Sequence, residues 1–214
     1  MRLAAVLLVL LPATSVQAQD SLETKLVIQQ GAREIGREEF TLTQSRGRGA
    51  PGTSIRARAA YPANSPTLRL SATLDRTPES ALAKFQLDVE GPNGPTVILA
   101  AGSGARLIIR TVARGSEAGR ELPGGPDVVL LVEQVFSLYC AVADLATPAG
   151  KPLTAVFPRT ARRASFVARR EPGGAGARVT LTGDIRGTLS TDGQGRLVRL
   201  ELPESGTIVS RAQD

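Results

Sequence analysis

The sequence predicts a mainly β protein: a single long antiparallel meander, curled into a spiral or partly open barrel, with one amphipathic helix packed on its concave face. Three observations predict it. Apolar and polar residues alternate with a period of two along most of the chain, as in strands with one dry and one wet face. Tight-turn residues separate these segments at short intervals. One segment alone, residues 131–145, changes to helical spacing.

The chain opens MRLAAVLLVLLPATSVQAQD. One positive charge, Arg2, precedes an apolar stretch from Leu3 to Leu11, and Val16-Gln17-Ala18 fits the small-x-small rule for signal-peptidase cleavage. The stretch is about half of the roughly 20 residues a membrane-spanning helix needs. Residues 1–18 are therefore expected to be a cleavable signal peptide, with residues 19–214 forming one β-rich domain and the mature protein beginning at Gln19. Localisation is expected to be periplasmic or secreted. The lone Cys140 allows no internal disulfide, so stability must come from packing and backbone pairing.

The strands follow in order. LVIQQ and EEFTLTQ flank the turn in QGAREIG, and TSIRARAAY has the same alternation. In TLRLSATLD, Leu68, Leu70, Ala72 and Leu74 share one face; in AKFQLDVE, Ala83, Phe85, Leu87 and Val89 do. TVILAA and ARLIIRTV are more continuously apolar and are expected to be covered on both faces. In RVTLTGDIRGTL, Val179, Leu181, Ile185 and Leu189 form the dry face. GPNGP (91–95) and DGQG (192–195) are tight turns. Longer loops are expected at 45–52, 114–127 and 172–177. About ten strands result.

The apolar run VVLLVEQVFSLYCAVADLA (128–146) begins as a strand. From Leu131 the spacing becomes helical: Leu131, Val135, Leu138, Val142 and Leu145 form an apolar stripe. Glu133, Ser137, Cys140 and Asp144 form a second stripe, expected to be wet. A lipid-facing span would not carry Glu133 and Asp144 without partners. The spacing predicts a helix of about four turns, ended before Pro148, with its apolar stripe plugging the sheet. Phe136 and Tyr139 lie at the borders of the two stripes and are the candidates to line any ligand cavity.

Much chemistry is absent. The chain has no His, which removes the usual general base and the commonest metal ligand. Cys140 lacks an activating base. GRGAPG (47–52) matches a dinucleotide fingerprint in letters but lies between strands. AGSGA (101–105) has the wrong glycine spacing for a nucleophile elbow. Glu38 and Glu39 are adjacent on a strand and point to opposite sides; Asp88 and Glu90 share a solvated face. The net charge of +6 comes with adjacent Arg pairs in RTARRASFVARR, which split between faces and form no one-sided basic stripe. No nucleic-acid partner, cofactor, metal site or catalytic residue is assigned.

LVIQQGAREIGREEFTLTQ, with its strand, Gly-x-x-x-Gly turn and strand, resembles the first hairpin of the secreted bacterial spiral β-sheet proteins, a group that includes the cell-envelope-integrity proteins. LTGDIRGTLSTDGQGRLVRLELPESGTIVSR is similar to their closing strands. The resemblance implies a spiral sheet around a central helix and a non-catalytic envelope role. The envelope-integrity members carry a disulfide, which this chain cannot form.

The function expected is therefore a non-catalytic exported envelope protein whose curled sheet binds a protein partner or an apolar or lipid ligand, with peripheral or no membrane contact. The alternatives are an outer-membrane β-barrel, which would want aromatic girdles that a 3% aromatic chain lacks, and a hydrolase built on a carboxylate pair, which would need two acids brought into one pocket.

Overall fold

The computed structural model describes residues 23–45 and 52–212. The signal peptide expected over 1–18, and most of GRGAPG, lie outside the described residues.

Among the described residues, fifteen strands form one sheet. In chain order they are β1 (Thr24–Gln30), β2 (Arg33–Ser45), β3 (Gly52–Tyr61), β4 (Leu68–Arg76), β5 (Leu82–Glu90), β6 (Thr96–Ser103), β7 (Arg106–Ala113), β8 (Ser116–Pro123), β9 (Val128–Leu130), β10 (Lys151–Phe157), β11 (Arg162–Glu171), β12 (Arg178–Gly183), β13 (Gly187–Thr191), β14 (Leu197–Leu202) and β15 (Thr207–Arg211). Among the described residues the single α-helix, α1, spans Tyr139–Leu145. The spatial order runs β8 to β1, then β15 to β9. Almost every strand pairs with its chain neighbours, and the long-range closure is β1 against β15, with Ile28 opposite Val209. All pairings are antiparallel except β9 on β10. The sheet ends at β8 and β9, which do not pair with each other, so it is curled without closing into a barrel.

Alternation does what it predicts. Leu26 and Ile28, Phe40, Ile55, Ala57 and Ala59, Leu70, Ala72 and Leu74, and Phe85 and Leu87 face inward and are buried. So do Val179, Leu181 and Leu189 from the other arm. These faces and the segment 128–146 form one continuous core, as expected when a helix must bury its apolar side on a curled sheet.

Several expectations are corrected. Among the described residues there are fifteen strands rather than about ten. The loop expected at 114–127 contains β8, whose residues are almost all exposed on both faces, so no alternation betrays it. RVTLTGDIRGTL is two strands, β12 and β13, separated at Gly183 to Gly187. Ala83 is exposed and Leu82 takes the buried place, because the β4–β5 register shifts between Asp75 and Arg76. β6 and β7 are not covered on both sides: Ile108 is 46% and Val112 38% exposed on the outer face.

The plug differs most. The helix has seven residues, not four turns. Residues 131–138 form tight turns instead, with a bridge between Val132 and Val135 and backbone bonds from Tyr139 to Phe136 and from Cys140 to Ser137. The expected wet stripe is dry at its centre: Ser137 (0% exposed) and Cys140 (2%) are buried like Leu131, Val135, Leu138 and Val142, while Glu133 is exposed and Asp144 half-buried. A plug gripped from both arms of the sheet has little face left for solvent.

Candidate functional site

The core face of an alternating strand admits polar residues only where their hydrogen bonds are met. Among the described residues two charged side chains occupy that face: Glu38 grips the plug, and Arg76 ties β4 to β9. In β2, Glu38 stands two positions from the inward-facing Phe40 and is 1% exposed. Its carboxylate accepts the backbone N–H of Phe136 at 2.7 Å and of Ser137 at 2.9 Å. In β4, Arg76 continues the row of Leu70, Ala72 and Leu74. It donates to the carbonyl of Val128 at 3.4 Å and to that of Ser80. Burial lowers its pKa to about 10, partly offset by the charge of Asp144.

Further contacts fix the same segment. The Tyr61 ring lies across Gly36, where a side chain would collide with it, and its hydroxyl donates to the Gln134 carbonyl at 2.9 Å. From β11, Arg170 donates to the Ala143 carbonyl at 2.6 Å, satisfying an orphan acceptor in the last turn of α1.

Burial pushes the Glu38 carboxyl up to about 7, against the opposing pull of the Ser137 side chain and the Phe136 and Ser137 N–H groups. Among the described residues no Lys or Arg forms an ion pair with it. Burial also raises the Tyr61 hydroxyl, with the Glu38 charge adding to it. The Cys140 thiol is pushed up to about 12, chiefly by burial, which makes it a poor nucleophile.

Phe136 and Tyr139 line one cleft of about 240 Å³. Val132, Phe157, Ile185 and Leu202 complete its apolar floor, and its rim carries Glu133, Arg162, Asp184, Arg186 and Glu204. Arg162 stacks on the Phe157 ring at 3.8 Å, Arg186 faces Glu204 at 3.6 Å, and Asp184 accepts the Ser165 N–H at 2.8 Å.

No protein-family profile matches the chain, and no curated protein matches it in sequence. A solved structure is similar in overall shape. It is a DUF1089 family protein from Pseudomonas aeruginosa, 11% identical, with a TM-score of 0.43, covering 92% of this chain and 97% of that one.

The carboxylates do meet in places. Asp144 and Asp192 line a second hollow of about 230 Å³, beside Cys140. Asp192 is committed to the fold. It accepts the N–H groups of Gln194 and Arg196 and the guanidiniums of Arg196 and Arg211. Burial alone would raise its pKa, but those bonds outweigh it and hold the carboxyl below the usual range. Asp88 and Glu90 lie in a groove on the outer face of the sheet, among Arg37, Arg58 and Arg69. Among the described residues no cluster of three His, Cys, Asp or Glu side chains could hold a metal, and no helix is long and apolar enough to cross a membrane.

Sequence reasoning missed Glu38 and Arg76 as inward residues. The signal was there: of two adjacent acids on one strand, one must face the core, and Phe40 fixes which. Arg76 is the next inward position after Leu74.

Proposed function

We propose that the chain is an exported, non-catalytic envelope scaffold whose Phe136–Tyr139 cleft receives one apolar anchor side chain of a protein partner. The observation that carries this reading is the cleft's size and lining. At about 240 Å³ it falls below the roughly 300–1,000 Å³ of sites for drug-sized ligands. It suits a single aromatic or branched side chain rather than the acyl chains of a lipid. An apolar floor with a charged rim is also the anatomy of an interface hot spot. A non-catalytic role is supported by the acids themselves: Asp192 is held ionised by structural bonds, and Glu38 is enclosed by the plug.

Native mass spectrometry of protein purified from the periplasm tests this, with wild type beside Leu202→Arg, which fills the cleft. The mature protein should begin at Gln19 and carry a protein partner that the variant loses. A bound lipid of defined mass, a partner retained by the variant, or no adduct would overturn the reading.

A further inference from the structure

Glu38 is a buried acid gripping the backbone of the segment that floors the cleft. Phe136 contributes its ring to the cleft and its N–H to Glu38. Ser137 gives the second N–H, and its own hydroxyl is buried without a well-formed hydrogen bond. Two oxygens of an ionised carboxylate can accept two N–H groups at full strength. A protonated carboxyl keeps one strong acceptor and acquires an O–H that must find an acceptor of its own. The Ser137 hydroxyl stands there to take it.

We propose that Glu38 makes the plug proton-responsive: ionised, it clamps both Phe136 and Ser137, and protonated it releases one of the two, resetting the wall of the cleft. Only the last step, from Phe136 to occupancy of the cleft, rests on the cleft being a binding site. The clamp itself is a property of the free protein.

The surroundings of Glu38 favour titration near neutrality. From β3 it faces the Tyr61 hydroxyl, which stays neutral. From α1 it faces the Cys140 thiol, also neutral. The charges beyond Cys140 are Asp192 and Arg211, which are bound to each other at 3.0 Å. With no ion pair to Lys or Arg among the described residues to hold the charge, burial keeps the proton on until about pH 7. The chain contains no His, so no other side chain of ordinary pKa titrates in that range.

The test is an NMR titration of the free protein through the neutral range. The Phe136 and Ser137 amide protons should shift together with one midpoint near neutrality, and the Tyr139 ring signals should follow with the same midpoint. The Glu38→Gln protein should show neither change. Amides that stay fixed in wild type, or titrate equally in Glu38→Gln, overturn the clamp. If the variant fails to fold, the wild-type carboxyl carbon of Glu38 decides, since a midpoint at an ordinary glutamate value overturns it as well. Adding the partner separates the two claims. A clamp that titrates while partner affinity is the same on both sides of the midpoint, and unaffected by Leu202→Arg, refutes the cleft and leaves the clamp standing.

Discussion

Glu38→Gln should flatten the dependence of stability on pH. The folded carboxyl keeps its proton until about pH 7, whereas the unperturbed value is 4.5. Between those values the folded state binds more protons than the unfolded state, so stability falls as pH rises. It is fully present below 4.5 and constant again above 7. The two values lie 2.5 pH units apart, and at about 1.4 kcal/mol per unit the fall amounts to about 3–4 kcal/mol. Glutamine, like the protonated carboxyl, offers one acceptor and leaves the other N–H without its bond, which costs about 1–3 kcal/mol in both proteins. The variant should therefore match wild type in mild acid and be the more stable of the two above neutrality, where wild type alone carries a buried charge. The assay is urea denaturation followed by far-ultraviolet circular dichroism at a series of pH values, checking that the m-value stays constant. A flat wild-type curve through this window, or the same slope in both proteins, would refute the reasoning.

Other substitutions probe the plug. Val135→Asp places a carboxylate where Val135 is fully buried, and should cost several kcal/mol, of the order of 3–5. Ser137→Asp should cost about as much, because its hydroxyl is buried beside Glu38; a loss of about 0.5 kcal/mol or less in chemical denaturation would mean that the site is a wet surface after all. Gly36→Ala should push the Tyr61 ring aside and break its bond to Gln134, at about 1–3 kcal/mol of overpacking. Gly119→Ala in β8, where the added methyl meets nothing, should be neutral. Equal melting temperatures for the two glycine variants would contradict the Tyr61 packing.

What could be read from the sequence follows from what each signal measures. Alternation reports which face of a strand is dry, so Leu70, Ala72, Leu74, Val179 and Leu181 were legible. It fails for β8, where Ser116 to Pro123 have no dry face to report. Helical spacing reports an amphipathic stripe, and Leu131, Val135, Leu138 and Val142 are indeed buried. The same spacing cannot tell a helix from a run of tight turns in a segment enclosed all round, so the helix was read too long. Ser137 and Cys140 looked wet because small polar residues are common on surfaces, yet both are small enough to fit against the sheet. That Glu38 faces inward follows locally from Phe40, but its partners are 98 and 99 residues away, and no local pattern encodes them. Phe136 and Tyr139 could be selected together because both border the stripe; the charged rim contributed by Asp184, Arg186 and Glu204 comes from the β12–β13 and β14–β15 connections, whose placement needed the whole sheet.

The plug explains why sheet and helix depend on each other. A seven-residue helix is far below the roughly 12–15 residues at which an isolated helix becomes even marginal in water. It has no acid in its first turn and no base in its last, so the plug offers few means of stabilising its own ends. The sheet supplies both. Glu38 comes from β2 on one arm and satisfies the N–H groups of the turn leading into α1; Arg170 comes from β11 on the other and satisfies a carbonyl near its end. The two arms are joined through β1 and β15, and each also buries its inward face on the plug. Losing the plug would expose those faces and leave Glu38 in a core without the two N–H groups that it accepts. A perturbation at Glu38 therefore reaches beyond one hydrogen bond, because the group that binds the plug to the first arm also sets where Phe136 meets the cleft formed with the second.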